Sequence, residues 1–221
     1  LIATPFLRLF SPATGYLAAA NTRANARRLA GATTPLILAI SLAFVAVGVQ
    51  TTVIHAAGRE AKDGLRADYV VAGASPGLPR EFSERAARLP GISVVTPVAH
   101  TDVQGKGSGV IGGQGVSGPD LERTLDLGVT SGTLANFTGS KVAVSRIAEP
   151  TLGAKVGKSV DLWLADGTKI TPTVVALYDR GLGFGDVTLP RDVLVGHTPN
   201  EVDDTVLVRA ATGANHDVVR S

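Results

Sequence analysis

The feature that most constrains this chain is a run of twenty residues without a charged side chain, from Pro35 to Ile54. Twenty residues of α-helix rise about 30 Å, which matches the hydrocarbon thickness of a bilayer. A helix buried in a soluble protein is expected to be shorter and to have a polar side. We therefore predict one transmembrane helix over residues 34–54.

A cleaved signal peptide is the main alternative, because it also places a basic stretch before an apolar one. Here more than thirty residues precede the run, and no small-x-small cleavage site follows it. The run is also longer than the apolar core of a typical signal peptide. These features favour a helix that is retained in the mature protein.

Charge is distributed unevenly along the 221 residues, whose formal net charge is +2. The first acidic residue is Glu60, and the chain from Glu60 onward holds 16 Lys and Arg against all 19 Asp and Glu. The basic excess therefore lies before the folded part, which argues against a nucleic-acid partner. Arg23, Arg27 and Arg28 precede the helix without acids, whereas an equal number of cations beyond it is mixed with acids. By the positive-inside rule, the N-terminal side is predicted to be cytoplasmic.

These features predict four segments in a membrane protein fragment of one transmembrane α-helix and one α+β, β-rich extracytoplasmic domain. The segments are a cytoplasmic lead-in with an amphipathic basic helix (1–33), the transmembrane helix (34–54), a charged connector (55–67) and the extracytoplasmic domain (68–221). The chain begins with Leu1 and contains no Met. It is therefore expected to be a piece of a longer protein, with the outer domain truncated at its C-terminus.

The first half of the outer domain shows mixed local patterns. A short apolar strand is predicted over 68–72, and a helix over 79–91 with apolar residues on one face. Extended character follows over 92–103, interrupted by Pro97. The glycine-rich stretch 105–118 is predicted to be a flexible loop, and the residues after it a brief helical turn.

The clearest pattern in the second half is a β-hairpin over 159–178. Apolar and polar residues alternate before an Asp166-Gly167 turn, and the second strand is predicted to end with Val174–Tyr178. Two more strands are predicted near 186–189 and 205–209. Several strands with only short helices indicate an α+β domain dominated by β-structure.

Two glycine motifs superficially resemble nucleotide-binding sequences. Gly107, Gly109 and Gly112 satisfy G-x-G-x-x-G, but the residues that follow them are not typical of a helix start, which that fingerprint requires. Gly157-Lys158-Ser159 matches the end of a phosphate loop, yet it precedes a strand rather than a helix. Neither motif predicts a nucleotide site.

No catalytic, cofactor or metal site is predicted, and the chain is not expected to be an enzyme. It has no cysteine, and no serine lies in a nucleophile elbow. Asp203 and Asp204 are predicted to form a solvated turn. The histidines are isolated in sequence, at positions His55, His100, His197 and His216.

Phe184 is the one residue of the outer domain singled out for an external role. It lies in the sequence GLGFG, residues 181–185. An aromatic side chain at a glycine-flanked tip is a candidate contact for an outer partner. The alternative, which is more frequent for a loop phenylalanine, is that it folds back onto its own core.

The order of these parts resembles the FtsX-like and MacB-like permease subunits of bacterial ABC transporters. The matching stretches are LAAANTRANARRLAGATTPLILAISLAFVAV and KVAVSRIAEPTLGAKVGKSVDLWLADGTKITPTVVALYDRGLGFGDVTLP. In that family the second stretch belongs to a MacB-like extracytoplasmic domain between the first two helices of a four-helix unit. The alanine-rich, methionine-free composition is most similar to actinobacterial members.

The resemblance implies a transmembrane subunit in the cell membrane that requires a separate ATPase subunit. It further implies more transmembrane helices in the full-length chain, and a dimer or pseudo-dimer of permease units. The arginines Arg23, Arg27 and Arg28 are candidate contacts for the ATPase. An alternative function is a single-span anchored binding or sensor domain. A third, an anchored envelope enzyme, is disfavoured because no catalytic cluster is present.

Overall fold

The computed structural model describes residues 12–117, 120–198 and 202–214. Its first element is helix α1, Pro12–Gly64. The chain divides between Thr52 and Val53 into two units. The first unit is helical throughout its described residues, and the second contains the last turns of α1 and a β-sheet.

Within α1, the stretch Thr33–Gly64 is long and apolar enough to cross a membrane. Every side chain from Thr33 to His55 is exposed, as expected for a helix whose surroundings are lipid. The hydroxyls of Thr51 and Thr52 donate to the carbonyl oxygens of Val47 and Gly48, each at 2.8 Å. These bonds satisfy the two hydroxyl groups within the helix itself.

The predicted lead-in helix, transmembrane helix and most of the connector form one continuous helix. The boundaries expected after residues 33 and 54 are therefore not helix ends. Pro35 lies inside α1 and only removes one backbone donor. The connector continues the helix because Glu60, Ala61 and Lys62 are strong helix formers.

The second unit contains one mixed sheet, with ten strands among its described residues. The main path runs β1-β10-β2-β3-β9-β5-β8-β4, and the β6–β7 hairpin pairs with β2. The pairs β3–β9 and β5–β8 are parallel, and the others are antiparallel. The strands are β1 Tyr69–Ala72, β2 Ile92–Gly105, β3 Val110–Val116, β4 Val129–Gly132, β5 Lys141–Ser145, β6 Leu162–Trp163, β7 Lys169–Ile170, β8 Thr173–Tyr178, β9 Val187–Pro190 and β10 Thr205–Ala210.

Short helices connect the strands, as the sequence predicted for an α+β domain. They are α2 Arg80–Ala86, α3 Glu149–Leu152, α4 Gly181–Phe184 and two 3₁₀ turns, Leu121–Arg123 and Arg191–Leu194. The helical segments predicted over 79–91 and after the glycine-rich stretch are confirmed as α2 and the first 3₁₀ turn. The predicted strands near 68–72, 186–189 and 205–209 are confirmed as β1, β9 and β10.

Both faces of the sheet are buried. Successive residues of β5 alternate between two apolar clusters: Val142 and Val144 belong to the first, and Ala143 to the second. The β6–β7 hairpin contributes Leu162 to the first cluster. The second cluster includes Leu125 and Leu127, which follow the first 3₁₀ turn.

The glycine-rich stretch 105–118 is not the flexible loop that we expected, because it contains β3. Its two neighbours, β2 and β9, supply hydrogen bonds along the strand that local propensity does not reveal. Some of its glycines are required by packing: a Cβ on Gly113 would lie 2.9 Å from a methyl group of Val103. Pro97 likewise does not interrupt β2, because pairing with β3 begins only at Val98.

The predicted hairpin is present, but its second strand is divided. β6 and β7 flank the Asp166-Gly167 turn, in which the Asp166 carboxylate accepts from the Thr168 amide at 2.9 Å. The residues predicted to end this strand belong to β8, which pairs with β5 and β4. Pro172 separates β7 from β8 and cannot donate a ladder hydrogen bond.

The turn predicted to be solvated at Asp203-Asp204 is only half exposed. Asp203 is fully buried, and its carboxylate accepts from Arg191 Nε at 2.6 Å. Burial raises the pKa of Asp203 although the arginine opposes that change. Asp204 remains exposed, and its carboxylate accepts from the His100 amide at 2.6 Å. Asp203 is buried rather than solvated because Arg191, twelve positions earlier in the chain, supplies the compensating charge that a buried carboxylate needs.

Candidate functional site

The outer end of α1 packs against the sheet domain through one face of small residues. The partly or fully buried positions recur every three or four residues, which is one side of a helix. They are Ala56, Ala57, Glu60, Ala61 and Gly64. The positions between them, including Gly58 and Lys62, are exposed. We call this face and the residues that contact it the junction.

The turn α4 approaches the backbone of α1 closely at Gly183. A Cβ at that position would lie 2.6 Å from the Ala61 amide nitrogen and 2.9 Å from Glu60 Cβ. The Glu60 carboxylate accepts from the Gly183 amide at 3.1 Å. Glycine is therefore required here by the packing of the turn on the helix, and the glutamate satisfies an otherwise unpaired amide.

Phe184, the next residue, lies inside the junction. It is half-buried against the second apolar cluster, and any Cβ on Gly64 would overlap its ring. The structure thus favours the alternative in which this phenylalanine folds back onto its own core. Leu182, 41% exposed, is the large apolar side chain of this turn that faces solvent.

Backbone hydrogen bonds tie the end of α1 to the segment after the first 3₁₀ turn. The Asp126 amide donates to the Gly64 carbonyl at 2.7 Å, and the Arg66 amide donates to the Thr124 carbonyl at 2.9 Å. Leu65 and Leu125 form an antiparallel bridge between these bonds. The residues that follow α1 therefore pair at once, through backbone hydrogen bonds, with the segment after the first 3₁₀ turn.

A carboxylate between two guanidinium groups reinforces this pairing. Asp126 pairs with Arg66 at 2.5 Å and with Arg180 at 2.9 Å. Burial opposes the charge of Asp126, but a hydrogen bond from the Gly128 amide and the two arginines outweigh it and lower its pKa. Because Arg180 immediately precedes α4, the ion pairs join the helix exit to the turn.

Buried polar groups connect α4 with the sheet behind it. The Tyr178 hydroxyl donates to the Gly185 carbonyl at 2.7 Å, and Thr188 Oγ1 donates to that hydroxyl at 3.2 Å. Gln114 in β3 donates to Thr188 at 3.2 Å. Burial raises the pKa of Tyr178, so the hydroxyl stays protonated and keeps its donor. Residues of β8, β9 and β3 thus hold the C-terminal end of α4 in place through this chain of hydrogen bonds.

The other predicted candidates do not belong to the junction. Arg23, Arg27 and Arg28 lie in α1, in the first unit, but their side chains are outside the described part of the structure. They remain candidates on the sequence alone.

Two of the histidines lie next to carboxylates that the sequence places far away. His100 Nδ1 is 3.3 Å from Asp204, and His197 Nδ1 is 2.8 Å from Asp166. The hydrogen bond from His197 lowers the pKa of Asp166 to about 2. Among the described residues, no group of three or more His, Cys, Asp or Glu side chains converges as a metal site would require.

Sequence reasoning missed Glu60, Asp126 and Arg180. The only local signal for Glu60 is that it is the first acid of the chain, just beyond the apolar run. Asp126 and Arg180 are 54 positions apart, and nothing in their local sequence indicates that they pair.

Comparisons with solved structures address the fold of about two thirds of this chain. The extracellular domain of the noncanonic ABC-type transporter YknZ from Gram-positive bacteria aligns at a TM-score of 0.50 and 14% identity, over 68% of this chain and 85% of that one. The periplasmic region of MacB from Actinobacillus actinomycetemcomitans aligns at a TM-score of 0.51 and 10% identity, over 68% of this chain and 77% of that one. A domain of a putative permease protein from Porphyromonas gingivalis aligns at a TM-score of 0.45 and 13% identity, over 71% of this chain and 81% of that one.

The first two likenesses show a shared fold. The structural neighbours are extracytoplasmic domains of MacB- and YknZ-like ABC transporter permeases, as the sequence resemblance predicted. No protein-family profile matches the chain, and no curated protein matches it.

Proposed function

We propose that this chain is the part of an ABC transporter permease subunit that joins a membrane helix to its extracytoplasmic domain. The observation that carries the proposal is the junction. A helix apolar enough to span a bilayer continues into the domain and is held there by Glu60, Gly183 and the Asp126 ion pairs. The fold shared with extracytoplasmic domains of such permeases supports the same general kind.

In this proposal the chain performs no chemistry of its own. A partner ATPase binds on the cytoplasmic side, and its closure displaces the helices of the permease. The junction transmits the displacement of α1 to the outer domain because several independent contacts must break before the two separate. A single span without intramembrane charge provides no solute path, so further helices complete the transporter.

The orientation can be tested by labelling introduced cysteines, because this sequence contains no cysteine that would react in the background. Lys62→Cys, at an exposed position beyond the apolar run, should react with a membrane-impermeant maleimide in intact cells. Asn21→Cys, before the run, should react only after the cells are opened. The reverse pattern would contradict the proposed orientation.

The partner is tested by co-purification of the full-length permease with the ATPase encoded beside it. Changing Arg23, Arg27 and Arg28 to Glu should abolish recovery of the ATPase. A matched control changes two exposed arginines of the outer domain, Arg85 and Arg88, to Glu and should retain it. If the ATPase is retained by all variants, the lead-in is not its docking surface. If no ATPase is recovered with the unaltered protein, the anchored sensor becomes the better account.

A further inference from the structure

A cavity of about 510 Å³ lies where the chain enters the sheet after α1 and where β10 ends. The strands β1 and β10 are antiparallel, so the start of one lies beside the end of the other. Of the residues that line the cavity, only Arg66 takes part in the contacts of the junction. Its charged lining residues are Arg66, Asp68, Glu122, Arg123 and Arg209.

Arg209 is fixed in this cavity through only one of its nitrogen atoms. Its Nη1 donates to the backbone carbonyl oxygen of Arg66 and, at 3.1 Å, to that of Arg123. Among the described residues, Nε and Nη2 have no partner, and the guanidinium pairs with no carboxylate. Nε and Nη2 form one edge of the planar group, and such an edge donates two parallel hydrogen bonds to an oxyanion. The fold therefore holds Arg209 in place and leaves its anion-binding edge unused.

Arg66 and Arg123 add positive charge beside Arg209, and each is oriented by a carboxylate outside the cavity. Arg66 pairs with Asp126 at 2.5 Å, and Arg123 pairs with Asp120 at 3.4 Å. Neither aspartate lines the cavity. A phosphate group has three strong acceptor oxygens and can accept from several guanidinium groups at once, whereas a carboxylate has two oxygens. Three arginines around one cavity therefore favour a phosphate.

Two exposed carboxylates line the same cavity, and none of the three arginines pairs with them. Asp68 accepts from the Ala210 amide at 2.8 Å but has no ion pair within the described part of the chain. Glu122 has no side-chain partner there either. These acids would repel a ligand that is purely anionic, and they attract one that carries a positive group beside its phosphate. The charge pattern therefore favours a zwitterion.

We propose that this cavity binds a phosphate ester that carries an ammonium group, as phosphoethanolamine does. The phosphate accepts from the Nε and Nη2 edge of Arg209, and the charges of Arg66 and Arg123 flank it. The ammonium group donates to Asp68 and Glu122. A metal ion does not meet these requirements, because the three guanidinium groups repel a cation.

The same chemical group occurs in soluble phosphate esters and in phospholipid headgroups. Arg66 follows Gly64, the last residue of α1, by two positions. In the proposed function α1 crosses the bilayer, so a phospholipid of the outer leaflet is one source of the group. That source rests on the proposed function, whereas binding of soluble phosphoethanolamine does not.

The test is thermal unfolding of the purified chain in a non-ionic detergent, followed by the fluorescence of Trp163, with no ATPase present. A ligand that binds only the folded chain raises the midpoint as its concentration exceeds the Kd, so a titration gives the affinity. The soluble probes are phosphoethanolamine and inorganic phosphate. The lipid probes, mixed into the detergent, are phosphatidylethanolamine and phosphatidylglycerol, of which only the first has an amine.

Two pairs of variants separate the two charges of the ligand. Glu122→Gln removes a carboxylate while keeping its shape, and the matched control is Glu84→Gln, at an exposed position of α2 outside the cavity. Arg209→Lys keeps the charge but loses the two-donor edge. Because Arg209 also holds two carbonyl oxygens, Arg123→Gln replaces it as the test if Arg209→Lys does not fold. The control for Arg123→Gln is Arg88→Gln, at an exposed position outside the cavity.

Phosphoethanolamine should raise the midpoint of the unaltered chain, and Arg209→Lys or Arg123→Gln should weaken its binding at least about tenfold, as expected when a charge-assisted hydrogen bond is lost. Glu122→Gln should weaken binding of phosphoethanolamine but not of inorganic phosphate, and both control variants should behave as the unaltered chain.

A greater response to phosphatidylethanolamine than to phosphatidylglycerol supports the lipid as the source, and a response to the soluble ester alone supports a soluble one. No response to any amine-bearing probe, or affinities that none of the cavity variants changes, would overturn the proposal. Because no ATPase is present, failure here is distinct from failure of the co-purification.

Discussion

Gly183→Ala tests the close approach of the turn α4 to helix α1. The new methyl group would lie 2.6 Å from the Ala61 amide nitrogen, about 1 Å short of ordinary van der Waals contact. The obstructing atoms are backbone and Glu60 Cβ, so no flexible side-chain end can move away. Overpacking of this kind costs about 1–3 kcal/mol. For a domain of this size, that cost lowers the midpoint of thermal unfolding by about 3–9 °C.

The assay is thermal unfolding of the full chain in detergent, followed by the fluorescence of Trp163. This residue is the single tryptophan and lies in β6, so it reports on the sheet rather than on the helix. The matched control is Gly58→Ala in α1, the helix that Gly183 contacts, at a position where the methyl group meets nothing within 4 Å. Alanine favours a helix over glycine by about 1 kcal/mol, so the control should not lower the midpoint. A midpoint for Gly183→Ala equal to or above that of the unaltered chain would refute the packing that we describe.

Three further predictions concern the contacts that hold the fold and the junction. Glu60→Ala should destabilise the domain by about 1 kcal/mol in urea unfolding, because the Gly183 amide loses its acceptor, and Glu60→Gln should cost less. Asp126→Asn should lower the free energy of unfolding by about 0.5–1 kcal/mol at pH 7. Because the pKa of Asp126 is lowered in the folded state, this difference in stability should be present above about pH 4 and should shrink as the pH falls below that value. Asp203→Leu should cost about 3–5 kcal/mol, because the buried guanidinium of Arg191 is left unpaired, while adding Arg191→Met should restore most of that loss. Equal stability of the single and double variants would contradict the buried ion pair.

Local pattern was sufficient for the elements whose signals are contained in their own residues. The uncharged run predicts the apolar part of α1, and alternating or continuous apolar residues predict β1, β9 and β10. The Asp166-Gly167 turn was identifiable because its side chain bonds to its own loop. In each of these cases the determining interaction lies within a few residues.

The elements that were mispredicted depend on partners far away in the chain. The glycines of β3 have low strand propensity, and the strand exists because β2 and β9 lie on both sides of it. Asp203 is buried because Arg191 is folded over it, which no adjacent residue indicates. The order of strands in the sheet, with two parallel pairs, is equally invisible to local pattern.

The junction was predicted only in part. Phe184 was singled out by its glycine neighbours, but sequence alone did not establish whether it faces a partner or its own core. Gly183 carries the closer contact with α1, and glycines in loops are too common to identify such a contact from sequence. Glu60 and Gly183 are separated by 123 positions, so their hydrogen bond is a property of the tertiary fold.

The central claim, that α1 drives the outer domain through the junction, is tested by ATP-dependent labelling of the assembled transporter. Leu182→Cys places a thiol on the exposed side of the turn that packs on the helix, in a sequence that has no cysteine of its own, and its labelling is measured relative to the same assembled transporter without the substitution. We predict that ATP changes the maleimide labelling rate of this residue at least about twofold. The change should be lost in the Gly183→Ala background at a temperature where that variant is folded and ATP is still hydrolysed. A labelling rate that ATP does not alter in the unmodified junction, or that it alters equally in both backgrounds, would contradict the account.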